Sequence, residues 1–251
     1  DDQVKLQLNL IRSHAAGSGN PLPEIYVKAV MVGRLNTFMR GFSGVHVDAV
    51  HLLKEFINRH IYPKILEHGG VGASGDLVQL AHLALNLIGE GEIYFDGKYR
   101  PAKEVFKANN LTPLKVYLRE GLALINGTSC MTGIGLINLI HAKNILNWSL
   151  ISSTLTNEVV ESADDHFSKE LNQVKLHKGQ NLIAQEMCKI VESSDLIQKR
   201  ADLFYNNKID VGVIKVKVQE YYSLRCVPQV LGPIYETIEN AERVLINEVN
   251  S

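Results

Sequence analysis

The segment Gly69-Gly70-Val71-Gly72-Ala73-Ser74-Gly75-Asp76 puts four glycines into seven residues immediately before an apolar-periodic run that starts at Leu77. Three chemistries compete for it. Gly70, Gly72 and Gly75 fit GxGxxG, whose following helix would hold a dinucleotide pyrophosphate, but Pro63 to His68 lacks a strand pattern and no βαβ alternation follows. As a plain helix start, Ser74 and Asp76 suit the exposed N–H groups and the positive helix end. The third reading takes Ala73-Ser74-Gly75 as a cofactor precursor. A tight turn can press the Gly75 nitrogen against the Ala73 carbonyl, and a glycine there offers the least steric obstacle to ring closure. Loss of two waters then gives 4-methylidene-imidazol-5-one (MIO), an electrophile that inverts the usual logic of an activated nucleophile.

Such a loop needs a rigid body around it, and the pattern of the chain is mostly helical. Helices are predicted over Glu24–Arg40, Val45–His60, Leu77–Ile88, Pro101–Ala108, Ser129 to about Glu161, Gly179–Ser193, Val213–Tyr222 and Val230 to the end, from apolar residues three and four apart. Ile93-Tyr94-Phe95, Asp96-Gly97 and Tyr99 predict a β-hairpin. Leu111–Leu118, with Pro113, reads as an extended connector that could hold a second strand pair, and the polar stretch Lys199–Lys208 as a mobile loop. Gly133 and Gly135 permit close backbone approach near the start of the longest helix. No composition shift or internal repeat divides the chain.

Composition narrows the functional classes. The 251 residues include 26 basic and 27 acidic side chains, a net charge of −1, which leaves no electrostatic footprint for nucleic acid or anionic lipid. Cys130, Cys188 and Cys226 show neither disulfide nor zinc spacing, so a reducing cytoplasm is expected. The uncharged stretch Gly121–Ala142 is broken by Asn126, Gly127, Thr128 and Ser129 and reads as buried core rather than a membrane span. His46, His51, His60, His68, His141 and His166 lack paired metal spacing, so no metal is assigned. Asp164-Asp165-His166 reads as a solvated helix end, and Ser-His-Asp hydrolysis lacks a nucleophile elbow.

Beyond these residue-level readings, Gly69 to His82 (GGVGASGDLVQLAH) resembles the signature of the MIO-dependent aromatic amino acid ammonia-lyases and related aminomutases. Glu120–Ser129 (EGLALINGTS), His177–Gln180 (HKGQ), Gln219–Pro228 (QEYYSLRCVP) and Asn247–Ser251 resemble further family segments in family order. The likeness spans nearly the whole chain and is nearest to the tyrosine ammonia-lyases of flavobacteria. It implies a mainly α fold, a long-helix bundle with a small β-hairpin layer near the cofactor loop, as in the front part of a lyase subunit. Residues 1–251 would form a single region holding the MIO loop and the start of the central bundle, an internal fragment without the family's N-terminal loop and C-terminal half.

The resemblance further implies that Ala73, Ser74 and Gly75 become the MIO ring, that Asn126 sits beside it, and that Tyr222 stands near it. Arg225 would pair with the substrate carboxylate, a fork that suits two oxygens, with Gln219 hydrogen-bonding within the site. Without the likeness, Asn126 would be an Asn-Gly turn residue, Tyr222 a half-buried core aromatic and Arg225 a solvated charge. Ser13 and His14 fall where the family reads the substrate ring. Ser13-His14 followed by Ala-Ala-Gly resembles histidine lyases, whereas Asn9 to His14 resembles tyrosine lyases and aminomutases. His82 and His177 would orient the core. Gly70 stands where the family usually has serine, Gln79 for proline and Glu220 for aspartate. The implied activity is non-oxidative loss of ammonia from L-tyrosine, giving trans-4-coumarate, or from L-histidine, giving urocanate, in a cytoplasmic homotetramer completed by the missing segments of the same protein. A tyrosine aminomutase and a truncated, non-catalytic scaffold are the alternatives.

Overall fold

Apolar stripes become helices wherever a cap or a proline can start them. In the computed structural model, which describes residues 2–75, 77–203 and 218–251, α1 (Asp2–His14) precedes α2 (Glu24–Met39), which starts directly after Pro23, and α3 (Val47–Asn58), whose Asp48 N–H donates to the His46 side chain. Next come α4 (Leu77–Leu87), α5 (Ala102–Ala108) after Pro101, α6 (Glu120–Ile125) and the 31-residue α7 (Ser129–Val159). The chain continues through α8 (Lys169–Asn172), α9 (Lys178–Ile190), α10 (Tyr222–Arg225) and α11 (Val227–Val249). The mainly helical expectation holds.

The strand content exceeds the expected hairpin. β1 (Ser18–Pro21) pairs antiparallel with β3 (Leu66–His68), and β2 (Tyr62–Pro63) adds to the hairpin of β4 (Glu92–Phe95) and β5 (Lys98–Pro101). Two- and three-residue strands carry too little alternation to be seen in sequence. The hairpin itself turns on Asp96 and Gly97, both left-handed, as a two-residue loop between right-twisted strands requires. No strand forms over 111–118. Residues 213–217 of the helix predicted at Val213–Tyr222 lie outside the described residues; 218–221 are not helical, and the helix starts at Tyr222. Residues 204–208 of the expected mobile loop also lie outside them.

The chain divides into two compact units. One comprises Asp1–Asn138 with Val244–Ser251, and the other Leu139–Arg243. The first division falls inside α7, so no linker signals it. The first unit's core gathers α1 to α6 and the start of α7, with Phe56 edge-on to Phe106 at 5.6 Å between centroids. The second unit is centred on Leu146, Phe167, Ile183, Met187 and Leu231. Cys130, Cys188 and Cys226 form no disulfide among the described residues. Among the described residues, Glu120–Val159 is long and apolar enough to cross a membrane by length and composition. The core reading of Gly121–Ala142 holds on one face only: Gly121, Leu124, Ile125, Cys130 and Ile137 are buried, while Leu122, Met131 and Ile140 are exposed.

Gly133 explains how α7 approaches α2. A Cβ there would lie 2.5 Å from the Val30 nitrogen and 2.7 Å from its Cα, backbone that cannot yield, whereas one at Gly135 would meet only the flexible end of Leu245. Gly133→Ala is therefore expected to destabilise the fold by about 1–3 kcal/mol, with Gly135→Ala much milder. Urea-unfolding midpoints of the two variants check this difference.

Candidate functional site

The glycine-rich loop is gripped at both ends. Ser74 and Gly75 adopt left-handed backbone conformations, with φ of 58° and 85°. A Cβ at Gly75 would lie 2.5 Å from the Gly127 carbonyl oxygen and 2.9 Å from its carbon and nitrogen. Only glycine fits between the loop and that turn. At the other end Gly69 packs on Val78 and the Gly17 backbone, while the Gly17 N–H donates to His82 Nε2 at 3.1 Å. Ala73 and Ser74 themselves are exposed, and Asp76 lies outside the described residues. This tight, glycine-only geometry at position 75 fits the triplet that the sequence marks as a ring precursor.

Asn126 ends α6, its side chain exposed and its backbone extended (φ −98°, ψ 126°). Its position is fixed from beneath by Arg34 of α2. One terminal nitrogen of that guanidinium donates to the carbonyls of Ala123 at 2.6 Å, Leu124 at 3.1 Å and Asn126 at 2.8 Å. Arg34 is only 2% exposed, lies 4.6 Å from the Phe38 ring centroid, and has its pKa pulled down to about 10 by burial. A cation at a helix C-terminus answers the carbonyls left unpaired there. Sequence reasoning passed over this residue, although Arg34 continues the face marked by Val27, Val30, Met31 and Phe38. Glu120 was passed over as a single side chain too. Fully buried, it accepts the N–H groups of His46 at 2.7 Å and Tyr117 at 2.8 Å.

Ser13 and His14 close α1. His14 Nδ1 lies 2.8 Å from the Leu10 carbonyl, and Ser13 Oγ donates to the same oxygen at 3.0 Å. A carbonyl only accepts, so a proton sits on His14 Nδ1, which leaves Nε2 as the ring nitrogen able to accept. Leu10 and Asn126 both line an open cavity of about 730 Å³ with Gln7, Phe42, Leu118 and Leu122. The first unit thus brings Gly75 against Gly127, the residue after Asn126, and ties Gly69 to Gly17, three residues beyond His14.

Gln219, Tyr222 and Arg225 belong to the other unit. Tyr222 is 74% exposed rather than a half-buried core aromatic, and the Arg225 guanidinium lies 4.2 Å from its ring centroid. That stack limits the rotamers of both. Gln219 is exposed beside them in sequence. Behind α10, Asn157 donates to the Leu224 carbonyl at 3.4 Å and accepts from Ser162 at 2.9 Å, with His166 Nε2 at 2.8 Å. His166 is therefore a buried network member, not the solvated helix end its acidic neighbours suggested. His177, expected to orient the core, is exposed, whereas His82 is buried and bonded to Gly17. Two departures from the family motif are coupled in space. A side chain at Gly70 would fall 2.7 Å from Gln79 Oε1, so the amide fills the room that a serine would take.

Comparison with known proteins identifies the family and the fold. The sequence matches the aromatic amino acid lyase family over residues 1–251. It is 42% identical to a tyrosine 2,3-aminomutase of Myxococcus sp. (strain Mx-B0) over 98% of the chain and 48% of that protein. Identity to a histidine ammonia-lyase of Caldanaerobacter subterraneus subsp. tengcongensis is 39%, over 100% of the chain and 47% of the relative. The fold superposes on the phenylalanine aminomutase of Pantoea agglomerans with a TM-score of 0.93 at 30% identity, covering 99% of this chain and 49% of that one. The chain spans about half the length of these relatives.

The Gly17–His82 bond makes the anchoring of the loop sensitive to acid. Burial first, then Lys64, pulls His82 below its ordinary 6.5, and burial does the same to His166 against the pull of Asp165. The unfolded chain then binds protons that the folded chain refuses, so stability falls as pH drops below about 6.5. His82→Gln, which keeps an acceptor but cannot titrate, is expected to flatten part of that fall. Thermal unfolding between about pH 7 and pH 5 measures it, with His166 supplying the remaining slope.

Proposed function

This chain belongs to the aromatic amino acid lyase family, and on that premise we propose that it is the part of an ammonia-lyase that carries the MIO group, formed from Ala73, Ser74 and Gly75. The observation that carries the reading is the seat of Gly75 against Gly127, where a side chain has no room and the preceding Ser74 is already left-handed. The family uses this group. When present, it supplies an electrophilic methylidene carbon that takes up the substrate amine and makes it a leaving group.

The chain's own residues bind and orient. Arg225, its guanidinium held over Tyr222, offers a planar fork to the substrate carboxylate, which fixes the amino acid end. Asn126, whose backbone carbonyl accepts from Arg34, would hold ring and substrate in register through its side-chain amide. His14, with its proton on Nδ1, accepts a hydrogen bond at Nε2 from a phenol hydroxyl or an imidazole N–H. A site built around such an acceptor rejects an analogue that lacks the donor. Gln219 hydrogen-bonds at the same end as Arg225. None of these residues is assigned the removal of the β-proton.

The proposed reaction is non-oxidative loss of ammonia from an aromatic L-amino acid, with L-tyrosine to trans-4-coumarate first and L-histidine to urocanate second. The 42% identity to a tyrosine 2,3-aminomutase supports a second outcome, return of a β-amino acid. The protein would act as a cytoplasmic homotetramer. Exposed Ile145, Trp148, Ile151, Leu155 and Val159 recur along α7 at helical spacing, a stripe that further copies would cover.

Ultraviolet spectra of the full-length protein's products separate coumarate from urocanate, and chromatography detects the β-amino acid. No turnover of tyrosine, histidine or phenylalanine would sink the reading. Gly75→Ala is expected to abolish both turnover and the two-water mass deficit of the loop peptide. Arg225→Lys is expected to lower kcat/KM by about ten- to a hundredfold, as the loss of charge-assisted hydrogen bonding would.

A further inference from the structure

We infer that Arg34, buried beneath the Asn126–Gly127 turn, is the positioning residue that sets the wall against which the loop closes into its ring. The inference rests on the proposed MIO chemistry. Ring closure joins the Gly75 nitrogen to the Ala73 carbonyl carbon. The carbonyl oxygen leaves as water with the amide protons of Ser74 and Gly75, and Ser74 loses its hydroxyl and α-hydrogen as a second water. None of these atoms belongs to Arg34, yet the step depends on how closely Gly75 is held.

Gly75 is held by backbone. Its nearest neighbours across the gap are the nitrogen, carbon and oxygen of Gly127. Gly127 in turn lies on the guanidinium, since a Cβ at that glycine would fall onto Arg34 Nη1. The preceding Asn126 carbonyl accepts from Nη2 at 2.8 Å, and the same nitrogen reaches Ala123 and Leu124. The stack therefore runs from α2 through the guanidinium to the turn and then to the loop, all within one compact unit. Arg34 Nε is buried with no hydrogen-bond partner. The charge is used on those carbonyls, which an apolar side chain would leave buried and unpaired. A planar fork also fixes direction, which a lysine ammonium does not.

The test times ring formation in the full-length protein after cell-free synthesis, by the mass of the peptide holding Ala73–Gly75. Arg34→Met is expected to slow loss of the two waters at least about tenfold, the rate equivalent of one charge-assisted hydrogen bond. Arg34→Lys, which keeps the charge without the fork, should be slowed several-fold and decides the matter should Arg34→Met fail to fold. Phe106→Leu, a core change of the same unit remote from Arg34, controls for general destabilisation and should close at the wild-type rate. Closure at the wild-type rate in a folded Arg34→Met or in Arg34→Lys, or equal slowing in Phe106→Leu, overturns the inference alone. A wild-type peptide without the deficit overturns the MIO reading, and this inference with it.

Discussion

A guanidinium withdrawn from water must be compensated where it stands, and Arg34 finds its compensation in the carbonyls that end α6. Those carbonyls have no partner within their own helix, so cation and helix end satisfy each other. The arrangement leaves little freedom. Moving the turn at Asn126–Gly127 would strip a buried charge of an acceptor, so the turn is as fixed as the core helix beneath it. The neighbouring Glu120 anchors the other end of α6 by accepting two backbone N–H groups. A six-residue helix that would fray alone is thereby pinned at both termini.

Close approach of backbone to backbone is the second constraint. Gly75 meets Gly127, Gly133 meets Val30, and in the other unit Gly179 and Gly232 face each other where α9 crosses α11. At each contact a single methyl group would have to displace main chain, which packed interiors resist. The consequence differs by place. Between helices it brings axes close and buries area, while at the loop it leaves Ala73 and Ser74 exposed on a base that cannot move.

The second compact unit uses a polar network for a comparable purpose. Asn157, Ser162, His166, Asn172 and Gln180 are all buried and hydrogen-bonded in sequence. Such a network specifies one arrangement because any slip leaves a polar atom unpaired. Through Asn157 it touches the Leu224 carbonyl inside the short α10, so the turn that carries Tyr222 and Arg225 is tied to a rigid interior although Tyr222 itself is exposed.

By itself the sequence determined the strongly periodic helices, because periodicity at Glu24–Met39, Val47–Asn58, Leu77–Leu87 and Val227–Val249 is a local signal, whereas α1, α6 and α8 carry no such signal. It also determined the Asp96-Gly97 hairpin, since only the turn chemistry of two residues is needed. The glycine-rich loop and its Ala73-Ser74-Gly75 triplet were legible as an unusual composition, and the family likeness followed from motifs in order. The tertiary structure alone decided what those glycines meet. That Gly75 faces Gly127, that Gly70 leaves room for Gln79, and that Arg34 is buried beneath Asn126 are contacts between residues up to 92 positions apart. The same holds for the buried state of His166, which its acidic neighbours suggested the other way round, and for the exposure of His177, although the family resemblance implies that it orients the core. Periodicity tells which face of an element is turned inward, but the partner waiting there is set by how distant segments pack.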